Sequence, residues 1–181
     1  EAVKIGDVNG SAIANSLQSA DERTSATMLF DVQDRAVKAG ETFTVNFKGT
    51  EKVQGYQFTM NFAGLEVMDI AGTGDIKAEN FGVFEGALTT SVDGNDNEFA
   101  VTFRASKAGQ LSNMLGVSSR ITKAEAYPLP TSPYWGGVNR LDVAFRFNGA
   151  TGSTISGVGF ELYQNQPNPF VNKTFIGFHL P

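Results

Sequence analysis

TFTVNFKGTEKVQGYQFTMNF, from Thr42 to Phe62, decides the fold. Phe43, Val45 and Phe47 alternate with Thr42, Thr44, Asn46 and Lys48. After a break containing Gly49, Tyr56, Phe58, Met60 and Phe62 alternate with Gln57, Thr59 and Asn61. Successive side chains of a strand point to opposite faces, so a period of two means one face buried and one solvated. Met28, Phe30 and Val32 repeat the pattern upstream. Phe99, Val101 and Phe103, then Leu141, Val143, Phe145 and Phe147, repeat it downstream. Gly, Asn and Asp turns such as Asp93-Gly94-Asn95-Asp96 separate the sets. Many one-sided strands predict an all-β, antiparallel sandwich rather than a parallel α/β sheet. Helix signals are few: one turn over Leu111 to Leu115, and a short helix over Ala12 to Ala20.

Composition bounds the rest. The 181 residues suit one main domain with appendages. Folding at that length buries roughly 70% of the unfolded chain's surface, enough for a core without covalent staples. There are 20 Gly, 15 Phe and no Cys. Without Cys there are no disulfides, thiolate nucleophiles or thiolate metal ligands. The net charge of −5 opposes nucleic acid and anionic membranes as partners. No apolar run approaches the ~20 residues of a membrane-spanning helix. The chain begins at Glu1 without a signal peptide, as expected of a mature fragment.

The stretch from about Thr24 to Gly149 resembles a cohesin module, a jelly-roll sandwich related to carbohydrate-binding modules. The residues that carry this are Val37-Lys38-Ala39-Gly40-Glu41-Thr42-Phe43-Thr44-Val45, then Val53-Gln54-Gly55-Tyr56-Gln57-Phe58, then Glu125-Ala126-Tyr127 ahead of the strand Leu141 to Phe147. The connection from Tyr127 to Leu141 departs from the pattern. It holds Pro128, Pro130 and Pro133, then Tyr134 and the single Trp135. Three prolines stiffen it and cut the entropy of presenting its tip. Tyr134 and Trp135 could stack on a glycan or anchor a protein contact, or Trp135 could plug the sandwich end.

Both termini carry further resemblances. Lys4 to Ser16 is similar to a dockerin calcium loop, which would place Asp7, Asn9, Ser11 and the Ile13 carbonyl around Ca²⁺. The position that should supply the final carboxylate is Gln18, and one side-chain carboxylate is a poor cage for a dication. The segment therefore reads as a loop that kept its shape and lost its ion. At the other end Gln164-Asn165, Pro167-Asn168-Pro169-Phe170, Thr174, Ile176, Phe178 and Leu180-Pro181 resemble the opening of the sorting domain of proteins exported by the type IX secretion system of Bacteroidetes. That resemblance implies a secreted or cell-surface protein that meets the export machinery. The expected organisation is a dockerin-like segment over 1–23, a cohesin-like sandwich over 24–150, and a linker with the start of a sorting domain over 151–181.

No enzyme is expected. His179 is the only histidine, and no Ser-His-Asp set, HExxH or phosphate loop is present. Glu66, Asp69, Asp75, Glu85, Asp93, Asp96 and Glu98 fall in turn-like or strand-edge contexts where solvation explains them. Two functions remain. One is a structural module that binds other proteins, copies of itself included, with the strand Thr174, Ile176, Phe178 and Leu180 completing a neighbour's sheet and building a filament. The other is a glycan-binding module using Tyr134 and Trp135.

Overall fold

The computed structural model describes residues 27–129, 140–150 and 152–157, and the backbone of 161–162 and 178–179. Asp7, Asn9, Ser11, Ile13, Tyr134, Trp135, Thr174, Ile176 and Leu180 lie outside the described residues. Phe178 is described in its backbone alone.

The strands run, in chain order, β1 (Thr27–Gln33), β2 (Ala36–Val37), β3 (Thr42–Gly49), β4 (Val53–Phe62), β5 (Leu65–Gly72), β6 (Phe81–Phe84), β7 (Ala87–Asp93), β8 (Glu98–Ala105), β9 (Gly109–Gln110), β10 (Leu115–Ser118), β11 (Glu125–Pro128), β12 (Asp142–Gly149), β13 (Gly152–Gly157), β14 (Glu161–Leu162) and β15 (Phe178–His179). Two short 3₁₀ turns, Ala78–Asn80 and Leu111–Asn113, are the described helical pieces. The second falls where the sequence predicts one turn.

Two sheets face each other. The larger has the order β13-β12-β1-β3-β8-β5. The smaller has the order β10-β4-β7-β6, and β11 also pairs with β4. β10 lies beside Thr59 to Phe62 and β11 beside Val53 to Gln57, so the two share one edge of β4. The chain changes sheets after β4 through Gly64 and after β7 through Gly94. Gly64 has φ +73°, a conformation that only glycine adopts cheaply. The Asp93 to Asp96 turn thus links the two sheets instead of closing a hairpin within one.

One ladder breaks the antiparallel rule. β1 and β12 pair in parallel over seven residues, Thr27 with Asp142 through Gln33 with Asn148. β13 then folds back antiparallel on β12, bringing Gly157 opposite Ala144. The chain therefore enters at Thr27 and leaves at Gly157 from the same end of the sandwich. The larger sheet also runs past residue 150, so β13 belongs to the sandwich rather than to a linker. Its sequence, GSTISG, has too few apolar residues to announce a strand.

The alternating residues close around a ring cluster. Phe30, Phe47, Phe58, Phe99, Phe103, Phe145 and Phe147 are all buried. Phe58, 0% exposed, lies 5.4 Å from Phe30, 5.6 Å from Phe145, 6.2 Å from Tyr56 and 6.5 Å from Phe99, centroid to centroid. It joins the smaller sheet to three rings of the larger one. Two hydroxyls interrupt the dry interior: Tyr56 Oη and Thr90 Oγ1 are buried without a hydrogen-bond partner. Burial pushes the Tyr56 phenol well above its ordinary value, with the Asp96 charge adding to the rise.

Candidate functional site

The outer faces of the two sheets differ in chemistry. On the larger sheet directly opposed residues form cross-strand ion pairs: Asp31 with Arg146 at 2.6 Å, Glu66 with Arg104, and Lys48 with Glu98 at 4.0 Å. Asp31 accepts two hydrogen bonds from the Arg146 guanidinium and one from Asn148, which together hold its carboxyl below the usual range against the cost of burial.

On the smaller sheet charge gathers at one end, with Asp93 of β7 and Glu125 of β11, and is absent from the rest of the outward positions. Register puts Gly116 and Ser118 of β10, Thr59 and Asn61 of β4, Ala87, Thr89 and Ser91 of β7, and Gly82 and Phe84 of β6 on its outer side. Apart from Phe84 these residues are short and uncharged, and Thr59, Ala87 and Ser118 among them are buried by the chain itself. Phe84 stands at its β6 rim, 50% exposed. The Asn61 side-chain oxygen is buried with no partner. Thr59 is covered by the loop after β10: its hydroxyl donates to the Thr122 carbonyl at 3.1 Å and accepts from the Thr122 amide at 2.8 Å. Ile121, 46% exposed, lies in that loop.

At the β11 edge sits a held carboxylate. Glu125 is 8% exposed, yet it receives the Tyr127 hydroxyl at 2.6 Å and the Gln57 amide at 3.2 Å. Lys123 lies 3.1 Å away and Arg140 3.5 Å. Alternation explains the arrangement: Glu125 and Tyr127 face out, while Ala126 between them is fully buried. Burial pushes the Glu125 carboxyl up, but the Tyr127 and Lys123 hydrogen bonds and the two cations outweigh it, and its pKa lies below the ordinary glutamate value. The Tyr127 phenol is correspondingly raised by its bond to Glu125.

The sign of the pH effect follows. A carboxyl whose folded pKa is depressed adds stability above its unfolded pKa, about 4.3 for glutamate, and loses it as pH falls through the folded value. Glu125→Gln is expected to be less stable than the parent at pH 7, with the gap closing below about pH 4. Urea melts of both proteins from pH 7 to pH 3 measure this; a gap that widens on acidification contradicts it.

A shallow cleft of about 240 Å³ opens beside this cluster, between Gln54, Gly55, Gln57, Ser91, Asp93 and Tyr127. Another cleft is lined by Asp34, Arg35, Gln110 and residues 152–154. Its Asp34 is already engaged, by the Ser112 hydroxyl at 2.9 Å and by the amides of Ser112 and Arg35. Among the described residues no three His, Cys, Asp or Glu side chains come together as a metal-binding group. No described helix is long and apolar enough to cross a membrane.

The sequence residues singled out for sugar, metal and strand contacts do not enter this geometry, since all but the Phe178 backbone lie outside the described residues. That backbone pairs with Leu162, and His179 with Glu161, so one edge of the C-terminal strand is already taken within the chain. The Glu125 cluster was missed. The signal that could have found it is period two across Glu125-Ala126-Tyr127, with Lys123 on the same side.

No protein-family model matches the chain, and no curated protein matches it. Solved structures similar to it are cohesin domains. The seventh ScaB type I cohesin of Pseudobacteroides cellulosolvens is 14% identical, with a TM-score of 0.42, over 74% of this chain and 93% of that one. The sixth cohesin of Acetivibrio cellulolyticus scaffoldin B, solved with a Cel5 dockerin, is 10% identical, with a TM-score of 0.45, over 74% and 100%. The cohesin of the Coh-OlpA-Doc918 complex of Clostridium thermocellum is 8% identical, with a TM-score of 0.44, over 74% and 99%. At such identities nothing about partners passes from those proteins to this one.

Proposed function

We propose that this chain is a non-catalytic assembly module of a secreted or cell-surface protein, and that it binds other copies of itself through the outer face of the smaller sheet. The observation that carries this is the contrast between the two outer faces. One carries ion pairs along its strands; the other gathers its charge at the β11 end, around Glu125 and Asp93, and is uncharged toward β6, where a half-exposed phenylalanine forms the rim. Charged residues are depleted and aromatics enriched at the centres of protein interfaces. Secretion rests on the resemblance of residues 164–181 to a sorting domain. Strand addition by that segment, the step that would lengthen a pair into a filament, would use the edge of β15 opposite β14.

Sedimentation velocity over a concentration series tests the reading. The full chain is expected to self-associate in a concentration-dependent way, and Phe84→Asp to weaken association by about tenfold or more, since desolvating a carboxylate at an interface costs at least the 1.4 kcal/mol that a decade represents. Deleting residues 164–181 should shorten the assemblies. A monomer at every concentration up to about 1 mM would overturn the proposal.

A further inference from the structure

The Tyr127 end of the same face is built differently from the Phe84 end. Phe84 lies opposite Ala87 and Gly55 opposite Asp93, the two ends of β7, roughly 20 Å apart at strand spacing. In the cleft at the Tyr127 end the aromatic ring is 40% exposed and fixed in place, because its hydroxyl is bonded to the nearly buried Glu125. Gln57 is held by the same carboxylate. Gly55 lines the cleft without a side chain, and any Cβ there would meet the Val92 carbonyl oxygen at 2.7 Å. Around this sit Gln54, Ser91 and Asp93, all exposed. Their side chains make no hydrogen bond or ion pair among the described residues.

We propose that this cleft is a subsite for one neutral pyranose ring of a polysaccharide. A pyranose has a face of C–H groups and a rim of hydroxyls that both donate and accept. The Tyr127 ring matches the face, since the negative side of an aromatic ring attracts the polarised C–H groups. The Gln54 amide, the Ser91 hydroxyl and the Asp93 carboxylate match the rim. Fixing Tyr127 and Gln57 beforehand lowers the ordering cost of binding. A protein partner would anchor an apolar side chain in a deep pocket. This cleft falls below the roughly 300 Å³ where enclosed ligand pockets begin, and Tyr127 is the exposed aromatic of its lining, Tyr56 and Val92 being buried. Asp93, a carboxylate without a cation partner, disfavours acidic glycans.

The test is an ¹⁵N NMR titration of the full chain with cellohexaose, xylohexaose, mannohexaose and laminarihexaose. Shifts are expected at the amides of Gly55, Gln57, Ser91, Asp93 and Tyr127 with at least one of the four. Tyr127→Ala should weaken that binding by about tenfold or more. The pair Gln54→Ala with Ser91→Ala changes exposed side chains alone and should also weaken it, in a protein whose spectrum stays folded. No shifts with any of the four sugars would overturn the proposal. So would shifts confined to other residues, or binding that survives in both variants. Phe84→Asp should leave the titration unchanged, which separates failure here from failure of the self-association reading.

Discussion

Phe58→Ala is expected to remove about 3–5 kcal/mol of folding stability, the largest effect of any single change foreseen in this chain. The ring is fully buried and makes centroid contacts of 5.4–6.5 Å with four other aromatic rings. Truncation removes the transfer free energy of the ring and leaves a cavity that strands of two different sheets cannot collapse to fill. Edge-on and tilted ring pairs add about 0.5–1.5 kcal/mol each beyond their area. Domains of this kind have about 5–15 kcal/mol in total, so the variant would sit close to its unfolding threshold at ambient temperature. Urea denaturation should show a lower midpoint with little change of slope. A loss below about 1 kcal/mol would mean that the aromatic cluster is not the seat of stability.

The second large effect concerns a residue with no side chain. Gly72 ends β5 opposite Phe99, and a Cβ there would run into the backbone carbonyl oxygen of Ile76 and lie 2.6 Å from its Cγ2. Ile76 is itself buried, and its amide bonds the Thr73 carbonyl at 3.1 Å, so the backbone cannot retreat freely. Gly72→Ala is therefore expected to cost about 2–3 kcal/mol, in the range of overpacking and backbone displacement. A thermal melt should show it. Gly94→Ala is the useful comparison: an added Cβ there meets nothing within 4 Å, so any loss comes from its φ of +148° rather than from collision. If Gly72→Ala were neutral, the close approach of the Ile76 turn to β5 would be wrong.

The strands with a clean apolar face were legible: β1, β3, β4, β8 and β12 lie where period two puts them. Those that were not legible each break the pattern for a physical reason. β5 carries an irregularity between Val67 and Asp69 that leaves Met68 exposed, so its alternation slips by one residue partway along. β7 turns Thr90 toward the core, and a threonine does not read as an inward residue. β10 is four residues long and β13 is nearly all small or polar. The parallel β1–β12 ladder was beyond pattern reading altogether, because alternation fixes which face is buried but not strand direction. The cleft was half legible. Gly55, Tyr56 and Gln57 were singled out with Glu125 and Tyr127 as motif residues, but their meeting depends on β11 returning beside β4 across some 70 residues of chain, a partnership set by topology.

The return of β13 along β12 bears on how the module behaves when stretched. With Thr27 and Gly157 at one end, a force drawing them apart meets the β12–β13 hairpin first and opens its bonds singly, like a zip. Once that strand is freed, the load passes to Gly149, at the far end of β12, while Thr27 anchors the near end of β1. The seven-residue parallel ladder is then pulled lengthwise, and its bonds must fail together. A short, compliant extension thus precedes a stiff latch, so a module pulled at these two points yields some slack before it resists.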